Sequence, residues 1–394
     1  MRAWPLVPLG ELVLPAERWE APLTGTRYRQ LGVRLWGEGA YEREPMDGSD
    51  TKYSKLNRVQ TGDLVVNKIW ARNGSVAVVP DALGGCYVSG EFPTFSSLPD
   101  RVDSRWLHWL TKTKPFWEQC DEKSRGTSGK NRIRPEQFLS IVVPLPPIAE
   151  QQRIVGRINS ITQSTGQLFT LRAEAAKETE TLGRAVVESV YVELASGYGL
   201  STVEQVCHSV TDGDHQTPPF SDEGIKFIFV GNASSGRFHF ANCKYVTPEY
   251  FSNLKPQRVP KRGDILYTAV GATLGVAAVV DTDEPFCFQR HVAILKPDRS
   301  RIESRFMWHM LRSQTVFRKA WASTTGSAQP TVPLRAIKQL PIPVAPLSEQ
   351  RKAVGRLDEF QGRLNRLTEH QTSTRMEIEA LLPSVLNMAF HGEL

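Results

Sequence analysis

The sequence predicts an α+β protein. We expect two similar mixed α/β domains and two long helices that form an antiparallel, coiled-coil-like spacer with pseudo-two-fold character. Three observations support this fold class: an internal repeat of about 200 residues, short β-branched segments broken by Gly and Pro in each repeat, and a long proline-poor stretch after each domain. Solenoid repeats span only about 20–50 residues, so this period indicates two copies of a whole domain with its connecting helix.

The repeat is visible at several places along the chain. The matching segments are 147–158 with 346–357, 62–65 with 263–266, 74–79 with 275–280, and 104–107 with 304–307. The sequence therefore predicts a first domain at 1–147, a first long helix at 148–196, a second domain at 197–345 and a second long helix at 346–394. A chain with two similar domains suits a target with two half-sites, and DNA is such a target.

Both domains show the same order of strand-like and helical segments. The predicted strands are at 64–66, 76–79 and 141–143 in the first domain and at 225–230, 265–267 and 276–280 in the second. Apolar residues at helical spacing predict one helix over 104–120 and its counterpart over 305–321. Proline-rich segments then lead into the long helices, because proline interrupts regular structure.

Each domain is followed by a stretch that predicts a long amphipathic helix. From Ile148 to about Leu194 there is no proline, and apolar residues recur at spacings of three and four. About 45 residues at about 1.5 Å each would give a helix of about 65 Å, too long for one domain to cover. The second helix begins near Leu347, and we expect a kink at Pro383. The two helices are expected to pack antiparallel on each other, and the alternative is that each lies on its own domain.

Composition and charge describe an ordinary water-soluble protein with a mildly basic balance. The net charge is +6 and the pI is about 9.0, which favours a polyanionic partner only weakly. The five cysteines are scattered without a CxxC pair, which is typical of reduced thiols in the cytoplasm. The sequence shows neither an apolar signal core at its start nor a run long enough for a membrane span.

Three motifs resemble those of the specificity (S) subunits of type I restriction-modification systems, and the resemblance covers essentially the whole chain. The helix entry, a proline and a hydrophobic residue followed by Glu-Gln, stands at 147–151 and again at 346–350. The ending Ala389-Phe390-His391-Gly392-Glu393-Leu394 is similar to the family's usual ending. The segment 212–218 resembles one near the start of the family's recognition domains. The first domain lacks a clear copy of it, which indicates that the two domains differ in detail.

The resemblance implies a division of labour between subunits. Two target-recognition domains would each read one half of an asymmetric, bipartite site in double-stranded DNA. The helices would fix the distance between the halves and dock two adenine methyltransferase (M) subunits, which bind S-adenosylmethionine. A restriction (R) subunit, which uses ATP and Mg²⁺, can join them. This chain itself would hold no cofactor. We expect the docking residues at the two helix entries: Glu150, Gln151, Arg153, Glu349, Gln350 and Arg351.

Motifs for chemistry are weak in this chain. The segment 217–220 comes near the Asn/Asp-Pro-Pro-aromatic motif of adenine methyltransferases, but Thr217 stands where an amide or carboxylate is needed. No Gly-rich methyl-donor loop and no GxxxxGK[ST] phosphate loop are present. The histidines share no ligand spacing, so no metal site is expected. The sequence therefore predicts a DNA-recognition subunit without a catalytic centre.

Base readout and phosphate contact require polar and basic side chains on loops or helices. The segment 123–134 carries five basic residues and no acid, and its polar counterpart is 323–329. The segment 68–73 places an exposed Trp beside Arg and Asn, and 52–58 is basic and aromatic. The candidate DNA-contacting residues are Lys52, Tyr53, Lys55, Lys68, Trp70, Arg72, Asn73, Lys123, Arg125, Ser128, Lys130, Asn131, Arg132, His215, Gln216, Gln289, Arg290, Thr325 and Ser327.

Two alternatives stay open from the sequence. The chain could serve as the specificity subunit of a fused restriction-methylation enzyme, which the neighbouring genes would reveal. It could also be a scaffold that associates with DNA without sequence specificity. Salt-dependent binding that is indifferent to sequence would favour the scaffold.

Overall fold

The computed structural model describes residues 4–124, 132–214, 217–233, 236, 239–326 and 329–394. The chain forms two compact units, one from 1–171 with 373–394 and the other from 172–372. Each unit contains one repeat of the domain together with a segment of each long helix. The domain boundaries predicted from the sequence, which set each long helix apart from its domain, stay a prediction.

The strands are short and follow the repeat. In the first unit they are β1 (Leu6–Pro8), β2 (Val13–Pro15), β3 (Trp19–Glu20), β4 (Arg27–Val33), β5 (Ala40–Asp47), β6 (Leu56–Arg58), β7 (Leu64–Val66), β8 (Val76–Val78), β9 (Tyr87–Val88), β10 (Thr94–Ser97) and β11 (Val142–Pro144). In the second they are β12 (Leu200–Thr202), β13 (Cys207–Asp212), β14 (Phe220–Ser221), β15 (Ile225–Ile228), β16 (Lys244–Val246), β17 (Ile265–Thr268), β18 (Ala277–Val279), β19 (Phe286–Phe288), β20 (Val292–Pro297) and β21 (Pro341–Pro343).

The helices follow the repeat as well. They are α1 (Ser104–Leu110), α2 (Lys114–Ser124), α3 (Pro135–Leu139), the long α4 (Ile148–Tyr198), α5 (Pro248–Ser252), α6 (Ser304–Leu311), α7 (Gln314–Ala322), α8 (Leu334–Lys338) and the long α9 (Leu347–Phe390). Helix α9 continues through Pro383 as one helix, and the kink expected at this residue stays a prediction.

The prediction of a single helix in each domain is wrong, because the chain forms two shorter helices at that place in each unit. In the first unit, α1 ends before Thr111 and α2 begins at Lys114, followed by Pro115, which fits the first turn of a helix but not its interior. In the second unit, the Ser313 side chain accepts a hydrogen bond from the backbone N–H of Val316 and caps α7. Local breakers therefore outweigh the continuous apolar pattern.

Each unit contains its own four-stranded antiparallel sheet. Its order is β2-β10-β7-β8 in the first and β13-β20-β17-β18 in the second. Leu64 pairs with Phe95 and Val78, and its counterpart Ile265 pairs with Leu295 and Val279. A two-stranded ladder beside the long-helix entry is also shared, β1-β11 and β12-β21. The repeat in sequence is thus a repeat in topology.

A second sheet differs between the units. Counted over the described residues, it has five strands in the first, in the order β3-β6-β9-β4-β5, and four in the second, in the order β14-β16-β15-β19. Each contains one parallel pair, β4 with β9 and β15 with β19. The two copies therefore share a packed scaffold and differ in the elements built upon it.

Both long helices contribute to the core of each unit. In the first unit, Ile154 and Ile158 of α4 and Ala389 of α9 join the cluster around Trp106. In the second unit, residues from the end of α4 and the start of α9 join the cluster around Phe306; they are Val187, Val190, Tyr191, Leu194, Ala353 and Leu357. The long helices are thus structural parts of each domain's core.

The two long helices run antiparallel within the second unit, as predicted. Arg356 Nη1 lies 3.4 Å from the Glu193 carboxylate, and Gln371 Nε2 lies 3.4 Å from Thr179 Oγ1. Between these pairs, Gly183 faces Leu364, so that a Cβ at Gly183 would lie 3.0 Å from its Cδ1. Residue numbers therefore increase along α4 in the direction in which they decrease along α9.

A buried glutamine joins each long helix to its domain. Gln151 Nε2 donates to the carbonyls of Arg101 and Pro146, and its Oε1 accepts from the Asp103 N–H. Asp103 is the N-cap of α1, so this one side chain connects the first turns of two helices.

The second unit repeats the arrangement. Gln350 Nε2 donates to the carbonyls of Arg301 and Ala345, and its Oε1 accepts from the N–H of Glu303, the N-cap of α6. Both glutamine side chains are fully buried. We call each of these three-bond arrangements a glutamine clamp.

We expect Gln151→Ala to lower the free energy of unfolding of the first unit by about 2–3 kcal/mol, because it leaves three backbone groups without partners. Denaturant titration of the full chain, followed by tryptophan fluorescence, measures the loss. Gln152→Ala is the matched control, because Gln152 is exposed, and its effect should stay within about 0.5 kcal/mol. Equal effects of the two substitutions would contradict the clamp.

A second polar contact joins α6 to α9. His309 is buried, and its Nε2 lies 2.7 Å from Asp358 Oδ1, while Arg305 also pairs with Asp358. His309 Nδ1 is buried without a hydrogen-bond partner in the described structure, so a proton there would lack an acceptor. Burial therefore lowers the pKa of His309 to about 4, although Asp358 opposes the shift; the nearby Arg305 and Arg312 add to it.

This histidine predicts a loss of stability in mild acid. An unfolded histidine titrates near pH 6.5, so between about pH 6.5 and 4 the unfolded chain binds a proton that the folded chain does not. The stabilisation is complete above about pH 6.5 and falls as the pH drops through this window, by about 3 kcal/mol at most. Denaturant titrations across pH 4–7 measure this dependence of the free energy of unfolding on pH. The His309→Gln variant should lose it, and the control His208→Gln, at an exposed histidine, should retain it.

Candidate nucleic-acid interface

A pocket of about 220 Å³ in the first unit brings two of the predicted DNA-contacting segments together. Tyr53 and Trp70 line it with Gln30, Arg43 and Asn67. Both aromatic side chains are substantially exposed, with Trp70 at 45%. Aromatic faces beside amide and guanidinium groups suit contacts to bases and sugars. Gln30 and Asn67 were not among the sequence candidates, because neither stands out in an isolated sequence.

The loop that presents Trp70 is held by its own polar side chains. Asn67 Oδ1 accepts from the backbone N–H groups of Ile69 and Trp70, at 3.1 and 3.3 Å. Lys68 Nζ donates to the Gly90 carbonyl at 2.6 Å. The amine of Lys68 therefore supports the loop from within, and Trp70 is the side chain that the loop exposes.

The end of the basic segment lies beside the same loop. The Ile133 N–H donates to the Lys68 carbonyl, and Arg132 Nη2 lies 3.2 Å from Glu91 Oε2. Glu91 also lines the pocket. Three separate stretches of sequence thus meet on one surface. Lys123 stands in the last turn of α2, whereas Arg125, Ser128, Lys130 and Asn131 lie outside the described residues.

The remaining candidates of the first unit occupy two settings. Lys52 and Lys55 are exposed on either side of Tyr53. Arg72 and Asn73 belong to a short 3-10 turn, and the Asn73 carbonyl accepts from the N–H of Trp36 at the tip of the β4–β5 hairpin. Asn73 therefore also anchors the hairpin.

In the second unit, a pocket of about 360 Å³ joins two predicted segments. Arg290 and His291 line it with Gln329 and Thr331. Gln289 Nε2 lies 3.0 Å from His291 Nδ1, and Arg290 Nε lies 3.3 Å from its Nε2. Burial and the Arg290 charge lower the pKa of His291, which favours its neutral form. Apolar residues such as Val270 and Ile337 also line it, but its described lining includes no Phe, Tyr or Trp, in contrast to the pocket of the first unit.

The Asp212–Pro218 segment is braced where the structure describes it. Arg258 contacts the carboxylates of Asp212 and Asp214, and the Tyr250 hydroxyl donates to Asp214 Oδ2 at 3.0 Å. Next to this brace in sequence, His215 and Gln216 lie outside the described residues, as does Ser327. Thr325 is exposed and exchanges backbone hydrogen bonds with Thr331, which places it next to the Arg290 pocket.

The candidate docking residues divide into exposed and buried groups. Gln151 and Gln350 are fully buried in the glutamine clamps, so a direct contact of either with another subunit is corrected to an internal role. The others remain at the surface as a prediction. Glu150 pairs with Arg153, Glu349 pairs with Lys352, and Arg351 is exposed.

The described residues show no constellation for catalysis by a bound metal. Across them, no three His, Cys, Asp or Glu side chains are grouped to hold an ion. All five cysteines are free thiols. Within the same ranges, none of the helices combines the length and apolar character that a membrane crossing requires.

Comparison with known proteins agrees with this architecture. The family model described as type I restriction modification DNA specificity domain matches the chain twice, over residues 38–173 and 221–377. The MjaVIII type I restriction enzyme specificity subunit of Methanocaldococcus jannaschii is 21% identical over 308 residues, which cover 74% of this chain and 71% of that protein. The EcoBI specificity subunit of Escherichia coli is 24% identical over 279 residues, covering 64% and 58%.

Two solved structures share the fold. One is a chain from work on complex assembly and conformational transition of a type I restriction-modification system, with a TM-score of 0.77, 22% identity and coverage of 100% and 99%. The other is the HsdS subunit of Thermoanaerobacter tengcongensis, with a TM-score of 0.65, 23% identity and coverage of 100% and 97%. The predicted fold class is confirmed.

We expect Trp70→Ala to weaken binding of the full chain to double-stranded DNA about 10-fold, because a base–aromatic contact contributes about 1–3 kcal/mol. Fluorescence anisotropy at fixed salt, with DNA that carries the recognised site, measures the affinity. Trp19→Ala is the matched control, since Trp19 is 40% exposed in the same unit but lies outside the pocket. An equal loss in both variants would exclude a specific role for Trp70.

Proposed function

We propose that this chain, which belongs to the family of type I restriction modification DNA specificity subunits, is a non-catalytic subunit that selects the DNA sequence on which its partner enzymes act. Each unit would read one half of a bipartite site in double-stranded DNA. The observation that carries this proposal is a duplicated scaffold with two different surfaces.

The difference between the surfaces supports an asymmetric site. The shared four-stranded sheets have the same strand order, whereas the second sheets differ in strand number. The first unit presents Tyr53 and Trp70 beside Arg43, and the second presents Arg290, His291 and Gln329. Different side chains at base edges select different bases, so two such surfaces fit two different half-sites.

Methyl transfer is assigned to separate M subunits. The sequence has neither the Gly-rich methyl-donor loop nor the Asn/Asp-Pro-Pro-aromatic motif that adenine methylation requires. S-adenosylmethionine would therefore bind to the M subunits. ATP and Mg²⁺ would bind to an R subunit in a system that contains one. The free cysteines are consistent with a reducing compartment, and we assign the chain to the cytoplasm.

The long helices are assigned to docking of two M subunits. Exposed charged residues stand in the first two turns of α4 and α9, including Arg153 and Arg351. The glutamine clamps hold these turns on their domains. A docked subunit would thus be fixed relative to the recognition surface of the same unit, which is the requirement for methylation at a fixed position within the site.

We expect co-expression of this chain with its neighbouring methyltransferase to produce adenine methylation at one bipartite, asymmetric motif in the host genome. Single-molecule sequencing that detects N6-methyladenine identifies the motif. The matched control is the methyltransferase expressed without this chain, which should leave the motif unmethylated. Methylation that is the same in both strains, despite a stable complex, would favour a scaffold instead.

The variant chain extends this test to the surfaces. Trp70→Ala should reduce methylation at the bipartite motif more than Trp19→Ala does, because only Trp70 lies in the pocket. Equal methylation in the two variants would show that the first-unit pocket does not contact bases or sugars. The assignment of the chain as a specificity subunit would be unaffected.

A further inference from the structure

A large groove in the second unit lies mostly outside the surfaces assigned to DNA contact. Its volume is about 1450 Å³. One wall is formed by α4 and α9, through residues such as Thr179 and Leu364, and the other by α6, α7 and the turn around Gly275. Of the described residues that line it, Gln329 alone also lines the Arg290 pocket. The groove thus lies along the two long helices as well as beside the recognition surface.

An unpaired guanidinium lies in this groove. The Arg312 guanidinium stands 4.2 Å from the centroid of the Trp308 ring, and the Arg305 guanidinium stands 4.1 Å from the same centroid. Arg305 is neutralised by Asp358 at 2.9 Å. Arg312 has no ion pair with any described residue, and its Nη1 is buried without a hydrogen-bond partner. None of the residues outside the described ranges is acidic.

The position of Arg312 is energetically significant. Burial, with Arg305 nearby, lowers the pKa of Arg312, which reflects the cost of removing its charge from water. The Trp308 face offsets part of this cost through a cation–π contact and holds the side chain in one orientation. A preorganised cation without a counter-ion is suited to receive an anionic group, because little entropy is lost when it binds.

Two exposed aromatic rings lie beside this cation. Phe317 and Trp321 are stacked with centroids 6.1 Å apart, and they are 42% and 51% exposed. In the first unit the counterpart of Phe317 is Trp117, which contacts Trp36 of the β4–β5 hairpin at a centroid distance of 6.1 Å. The first unit therefore covers this face of the fold with an aromatic contact. In the described part of the second unit, the same face remains accessible.

The remaining charges of the groove favour an acidic occupant. Arg184 pairs with Glu180 across one turn of α4. Arg318 is exposed and forms no ion pair with any described residue. Two arginines, Arg312 and Arg318, thus lack a carboxylate partner there. The groove combines positive charge with apolar area, which is the composition of a protein-binding site.

We propose that this groove binds a segment of the docked methyltransferase subunit that places an apolar side chain on Phe317 and Trp321 and a carboxylate on Arg312. The inference rests on the proposed function and specifies the partner chemistry of the helix pair. A protein segment fits better than DNA, because a phosphate backbone would leave the apolar wall of Phe317, Trp321 and Leu364 without a partner.

The test uses the full chain and the purified neighbouring methyltransferase in an isothermal titration at fixed salt. Arg312→Met retains the apolar stem and removes the charge. We expect it to weaken the affinity about 30-fold, since removal of one partner of a buried charge pair is costly. Trp321→Ala should weaken it about 10-fold. Arg335→Met is the matched control, because Arg335 is an exposed arginine of the same unit outside the groove, and its affinity should remain within about 3-fold.

Photo-crosslinking identifies what occupies the groove. Benzoylphenylalanine in place of Trp321 should crosslink to the methyltransferase, and mass spectrometry should place the crosslink next to an Asp, a Glu or a terminal carboxylate. Crosslinking to DNA alone, to a second copy of this chain or to another segment of the same chain would overturn the inference. Thermal melting of each variant, compared with the parent chain, separates loss of binding from loss of folding.

The outcomes distinguish the two proposals. Unchanged affinity in Arg312→Met and Trp321→Ala, with tight binding by the parent chain, would reject the groove and leave the specificity role intact. A parent chain that does not bind the methyltransferase at all would reject the proposed docking, and the groove assignment would be rejected with it.

Discussion

The rest of the structure depends on one polar interaction, which the chain makes twice. A buried glutamine in the first turn of each long helix bonds two carbonyls and the backbone N–H of an N-cap residue. A long helix that met its domain through apolar contacts alone would be free to rotate or slide by small amounts, because hydrophobic packing has little directionality. Three directional bonds in a buried setting remove that freedom. The entry angle of α4 and α9 is therefore fixed where each leaves its domain.

The core of each unit extends this constraint. Trp106 and Phe306 occupy equivalent positions, and both pack against segments of the long helices. The four-stranded sheet behind them has the same strand order in both units. Close packing tolerates few changes of volume, so this part of the repeat retains its form. The second sheet and its loops have fewer such constraints, and here the units differ. Divergence is concentrated where it alters a surface without disturbing the core.

Particular residues show where sequence reasoning succeeded and where it did not. The helix limits near Ile148 and Leu347 followed from proline and from apolar periodicity, which are local signals. The break of the domain helix at Thr111 was missed, because turn and cap chemistry competes with a continuous apolar pattern. The glutamines of the helix entries were correctly singled out but given the wrong role. A single sequence shows that Gln151 recurs as Gln350, and it does not show which way the side chain points.

The sequence by itself determined the duplicated organisation, the two long helices, the absence of recognisable catalytic motifs and a set of polar segments suited to DNA. These features are encoded by period, spacing and residue type. Only the tertiary structure decided which segments meet. It placed Tyr53 beside Trp70, set the end of the basic segment next to Lys68, buried the two glutamines and left Arg312 without a counter-ion among the described residues. Such juxtapositions arise from contacts between residues far apart in the chain, and their burial is a property of the packed whole rather than of any local pattern.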